Sequence, residues 1–120
     1  MKNLLLCVSL AIGFSAGAQG RDIRFYAAEG VSLDGSEYHG TAYIEKTADH
    51  TCRIVWRIEQ SDFEGVCMWY EGVLSVSFAA YGYVGMVIYK VNTDGSMQGA
   101  WTYADRDGLG TETLTPITGD

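Results

Sequence analysis

Along most of this chain apolar and polar residues alternate one for one. Cys52, Ile54, Trp56 and Ile58 alternate with Arg53, Val55 and Arg57, and Phe63, Gly65, Cys67 and Trp69 with Glu64, Val66 and Met68. The same rhythm runs through Tyr38–Ile44, Leu74–Phe78, Gly85–Val91 and Met97–Tyr103. A period of two is the signature of a strand with one buried face, and no stretch carries the 3.6-residue period of a helix. With a first strand near Arg24–Gly30 and a last near Gly110–Pro116, the pattern predicts about eight strands.

The punctuation between these runs is turn chemistry. Asp34-Gly35 and Asp94-Gly95 are hairpin signals, with Ala48-Asp49-His50 and Glu71-Gly72 as further turns and Asp105–Gly108 before the last strand. Short connections join sequential antiparallel neighbours, which gives an up-and-down meander. Gly40, Gly65, Gly85 and Gly99 stand inside strands, where glycine permits a bend or the close approach of another group. The prediction is an all-β fold whose strands close into a small barrel; a two-sheet sandwich is the alternative. Val31-Ser-Leu-Asp-Gly-Ser and Val91-Asn-Thr-Asp-Gly-Ser echo one another, as one hairpin solution used twice.

Centring the hairpin of the third and fourth strands on Glu59-Gln60 sets Cys52 opposite Cys67, Ile54 opposite Gly65, Trp56 opposite Phe63 and Arg57 opposite Asp62. Alternation independently puts both cysteines on the apolar face. Directly opposed β-carbons lie about 4.5–5.5 Å apart, close enough for a disulfide. A Cys52–Cys67 bond is therefore expected.

The first residues do not fit the barrel pattern. Met1-Lys2-Asn3 precedes an apolar run from Leu4 to Ile12, and Ser15-Ala16-Gly17-Ala18 follows. That is the layout of a secretory signal, residues 1–18, with cleavage after Ala18 and one β domain over residues 19–120. The apolar run is too short for a membrane span, which needs about 20 residues, so no transmembrane anchor is expected. Cys7 leaves with the signal, and an even pair remains, as suits an oxidising compartment. The expected location is the periplasm or the extracellular medium. The formal net charge is −7. A chain this acidic repels phosphate backbones, which argues against nucleic acid as a partner.

Candidate chemistry is sparse. His39 and His50 have no partners at metal-ligand spacing, and neither C-x-x-C, H-E-x-x-H nor G-x-S-x-G occurs, so no metal, cofactor or catalytic set is predicted. Glu112 shares a face with Leu114 in the last strand; an inward carboxylate needs a partner, which Arg24 or a tyrosine hydroxyl could supply. Glu112 and Glu29 are the candidate interior polar groups. Trp56, Phe63, Trp69, Phe78 and Trp101 fall on the inner face as core. Tyr81, Gly82 and Tyr83, in the glycine-bearing stretch Tyr81–Gly85, form a candidate binding loop, with Tyr70 near a loop end too.

Tyr38-x-Gly40-x-x-x-Ile44, Ile54–Ile58, Phe63–Val66, Val87-x-Tyr89, Asp94-Gly95-Ser96-x-x-Gly99-x-Trp101-Thr102 and Gly108–Glu112 together resemble a group of small exported proteobacterial proteins labelled fibronectin-binding-like. The likeness covers most of the chain after residue 18. It implies a compact β domain; it carries no catalytic or binding motif to transfer, and the two cysteines are not part of it.

Two function classes follow. The first is a non-catalytic binding module. Its partner is an extracellular or envelope protein met by the barrel-end loops, or a small apolar ligand held inside; inhibition of an exported hydrolase is a variant. Small barrels are filled by side chains or hold one ligand. The inward Trp and Phe predict a filled interior, which favours the loops. The second class is an enzyme built on Glu112. A ligand carrier would show an internal pocket, and an adhesin or inhibitor a protruding loop around Tyr81–Gly85.

Overall fold

The structure, a computed structural model, describes residues 22–117. Eight strands run in chain order: β1 (Ile23–Val31), β2 (Glu37–Lys46), β3 (Thr51–Ile58), β4 (Ser61–Tyr70), β5 (Val73–Ala80), β6 (Tyr83–Val91), β7 (Met97–Tyr103) and β8 (Gly110–Pro116). Each pairs antiparallel with the next, and β8 returns to β1 from Tyr26↔Pro116 to Val31↔Thr111. That last pairing closes the barrel and excludes the sandwich. Among the described residues every strand thus has a hydrogen-bonded neighbour on each side, and none is an open edge. The predicted signal, residues 1–18, lies outside the described residues. Among the described residues, no helix is long and apolar enough to cross a membrane.

Turn chemistry sets the connections. Glu71-Gly72 and Tyr81-Gly82 are two-residue turns with positive φ at both positions (51° and 80°, 54° and 81°), the mirror-image geometry that matches strand twist. The two echoed segments build the same turn. Asp34 Oδ1 accepts from the Ser36 N–H (3.0 Å) and hydroxyl (2.7 Å), and Asp94 Oδ1 accepts from the Ser96 N–H (2.9 Å) and hydroxyl (2.6 Å). One of these turns sits at each end of the barrel. The upper end carries the β1–β2, β3–β4, β5–β6 and β7–β8 connections, and the lower end carries the other three.

The β3–β4 register is the one expected. Cys52 faces Cys67, Trp56 faces Phe63, and Arg57 faces Asp62, to which it donates twice, at 2.7 and 2.9 Å. Cys52 and Cys67 are disulfide-bonded, with their Cα atoms 4.9 Å apart. Both are buried in the lower half of the barrel, in a core with Ile44, Ile54, Leu74, Val76, Val87 and Leu114. That lower half is filled by aliphatic side chains together with Tyr26 and Trp69. The upper half is built differently.

Candidate functional site

In the upper half, large aromatic rings each lie over a glycine on the next strand. Phe78 on β5 pairs with Gly85 on β6, Tyr89 on β6 with Gly99 on β7, and Trp101 on β7 with Gly110 on β8. Tyr38 on β2 likewise pairs with Gly30 on β1. A Cβ on Gly85 would collide with the outer end of the Phe78 ring, and one on Gly99 would come 2.7 Å from Tyr89 Cδ1. These glycines therefore serve as seats that make room for the rings against the neighbouring strand.

The same device assembles a polar centre. Glu112 on β8 has glycine as its cross-strand neighbour on both sides, Gly30 and Gly99. Tyr38 crosses the first and Tyr89 the second, so both hydroxyls reach the carboxylate. Tyr38 donates to Oε1 at 2.7 Å, and Tyr89 donates to Oε2 in a short hydrogen bond. The Trp56 indole N–H also donates to Oε2, at 2.9 Å, and lies 3.3 Å from the Tyr89 hydroxyl. Glu112 is 6% exposed. Burial pushes its carboxyl above the usual carboxylate range, against the pull of the three donors, which favour the ionised form. Burial, and then the neighbouring Glu112 charge, push the Tyr38 and Tyr89 hydroxyls above the usual tyrosine value, so both stay protonated donors.

Above this centre the interior is not filled. A cavity of about 320 Å³ opens at the upper end, with Glu112, Trp56 and Val87 deep in it and Ser32, Ser36, Glu37, Glu59 and Ser61 around its mouth. Tyr38, Phe63, Phe78, Trp101 and Tyr103 wall it. Phe78 makes edge or tilted contacts with Trp56, Trp101 and Tyr103 at centroid distances of 5.5, 6.4 and 5.9 Å. The Trp101 ring meets the Tyr38 ring edge-on at 6.2 Å, and its buried indole N–H makes no hydrogen bond among the described residues. The expectation of a filled interior thus holds for the lower half and fails for the upper. The rings meet below the cavity, Tyr38 on Trp101, Trp101 on Phe78 and Phe78 on Trp56, and leave the space above them open.

The sequence-derived candidates separate accordingly. Glu112 lies inside, and its partners are tyrosines and Trp56. Arg24 is at the other end, exposed and 3.3 Å from Asp22. Glu29 is exposed on the outer face: Tyr26, Ala28 and Gly30 take the inward positions of β1, and Glu29 falls one residue out of phase. Tyr81 and Gly82 form only a tight two-residue turn, and Tyr83 begins β6, so no loop protrudes there. Tyr81 lines the mouth and packs against Phe63 at 5.7 Å. Tyr83 stacks on Tyr103 at 5.8 Å, with the Arg106 guanidinium over both rings. Tyr70 ends β4 at the lower end, away from the cup. Tyr38 and Tyr89 do not stand out as site residues in the sequence. The signal that finds them is register: an inward tyrosine opposite an inward glycine, with an inward acid one strand further on.

No protein-family model, curated protein or solved structure matches this chain. The likeness to the fibronectin-binding-like group therefore rests on the quoted residues alone. The geometry here offers a recess with apolar walls, a few fixed polar groups and an open mouth, which are the features of a small-molecule site.

Proposed function

We propose that this protein is an exported, non-catalytic binding module that holds one small, largely apolar molecule in the upper cup of its barrel. The observation that supports this reading is the aromatic-walled cavity of about 320 Å³ with Glu112 and its donors at its base. Its volume falls at the small end of the range of about 300–1,000 Å³ for ligand pockets. The glycine seats hold the wall rings in place beforehand, so a ligand orders few side chains on binding. The two-residue Tyr81-Gly82 turn supports this reading over recognition of a protein surface by an extended loop. The disulfide is compatible with an oxidising compartment.

The test is a fragment screen on the oxidised protein, read from the indole N–H resonances of Trp56 and Trp101. Binders should shift both signals saturably. Ala80→Trp, which places an indole in the mouth, should abolish the shifts, whereas Tyr70→Ala at the far end should leave them intact. Shifts that survive Ala80→Trp would move the site elsewhere and refute the reading.

A further inference from the structure

The chemistry of the cup selects among small molecules by charge. Its acidic lining residues are Glu112 at the base and Glu37 and Glu59 at the mouth, and among the described residues no lysine or arginine lines it. Glu112 takes a single donor on Oε1, the Tyr38 hydroxyl, while Oε2 takes two. A carboxylate oxygen offers about two acceptor positions, so Oε1 retains capacity for a donor arriving from the cavity. The walls add to this. The faces of aromatic rings carry negative potential and attract cations, most strongly where water is displaced. A recess with one sign of charge and low-dielectric walls focuses that field. The formal net charge of −7 acts in the same sense at longer range.

An opposing charge stands beside the rim, on Arg106. Its guanidinium lies over Tyr83 and Tyr103 at 4.8 and 5.3 Å from the ring centroids. It belongs to the β7–β8 connection outside the lining, and it covers the rim tyrosines without reaching the base. It shows in place how these rings receive a cation. Arg57, on the outer face of β3, is held by Asp62.

We propose that the cup is selective for a small organic ammonium cation with an apolar body, its ammonium group directed at Glu112 Oε1 and its body against Phe78 and Trp101. This rests on the cup being a small-molecule site. It adds the class of ligand and excludes anions such as fatty acids, which a neutral apolar pocket would accept.

Three matched probes test it: 2-phenylethylammonium, the neutral 2-phenylethanol, and the anion 3-phenylpropionate. Each is titrated into the full oxidised protein, with the Trp56 and Trp101 indole signals as the readout. The ammonium should bind at least tenfold more tightly than the alcohol, and the anion not at all. Glu37→Gln with Glu59→Gln, both at the exposed mouth and clear of the core, should weaken the ammonium several-fold and leave the alcohol unchanged. Glu112→Gln should remove most of the remaining preference. Its amide oxygen can accept from Trp56 and Tyr89, and its NH2 can donate to the Tyr38 oxygen, so the fold has a way to keep its hydrogen bonds. Equal affinity for ammonium and alcohol, or tighter binding of the anion, would overturn the selectivity and leave the cup as a binding site. Indole signals that respond to none of the three would overturn both.

Discussion

Replacing Glu112 by Leu removes the acceptor on which three buried donors converge. The Trp56 N–H keeps an acceptor in the Tyr89 hydroxyl, 3.3 Å away. Tyr38 can turn to the Thr111 carbonyl, but at 3.5 Å that bond is long. The Tyr89 proton is left with no acceptor among those described. One full orphan at about 1–3 kcal/mol and one poorly satisfied donor at about 1 kcal/mol give a loss of about 2–4 kcal/mol. A barrel of this size should then melt about 10–25 °C lower. Relief from burying a carboxylate opposes the loss, and replacing a whole buried ionic group by apolar residues is often neutral. Here the donors remain, so the loss wins. Urea unfolding followed by tryptophan fluorescence measures it, with the slope against urea unchanged.

The pH arm has a definite sign. The folded-state pKa of Glu112 lies above its unfolded value. Between the two, the folded chain holds the extra proton, so stability from this group is present below the ordinary carboxylate pKa and falls as pH rises through the folded value. Asp34, Asp62 and Asp94 are shifted the other way by hydrogen bonds from Ser36, Arg57 and Ser96, so their contributions are lost only on further acidification. They are common to both proteins and cancel in a difference curve. Wild type minus Glu112→Gln should therefore slope downward as pH rises from the ordinary carboxylate range and level above the raised folded-state pKa. A Glu112→Leu variant as stable as wild type, or a flat difference curve, would refute the account of this centre.

Three other outcomes follow from the same geometry. Gly85→Ala puts a methyl where the Phe78 ring lies, so the ring must swing into the cup; stability should fall by about 1–3 kcal/mol and ligand shifts should vanish, and unchanged binding would refute the role of that seat. Cys52→Ala with Cys67→Ala frees a link between positions 15 residues apart and should cost about 2–3 kcal/mol in thermal unfolding, with the fold retained at low temperature; an unchanged melting curve would show that the bond does not restrict the unfolded chain. Tyr26, Tyr38, Tyr89 and Tyr103 all have raised pKa values, so above pH of about 10 tyrosinate absorbance should rise in two stages, the second coinciding with loss of the β-sheet circular dichroism signal. A single smooth titration of a still-folded barrel would contradict it.

Alternation and turn residues by themselves determined the strands of this protein, their order and the Cys52–Cys67 register. Each of those depends on a period of two and on which residues accept positive φ, and both are local properties. They also made Glu112 a candidate for the interior, because it shares a face with Leu114 in β8. What lay beyond reach was relative position across the barrel. Tyr70 and Tyr81 look alike as loop-end tyrosines, yet they end at opposite poles, since each hairpin reverses the chain. Glu29 and Glu112 are one phase apart, and only the β1–β8 pairing, which fixes Gly30 opposite Glu112, separates them. The cup itself is a product of closure. The hairpins already set Phe78, Trp101 and Tyr38 opposite their glycines, but only the pairing of β8 with β1 puts Glu112 beside Gly30 and brings the Tyr38 ring to Trp101.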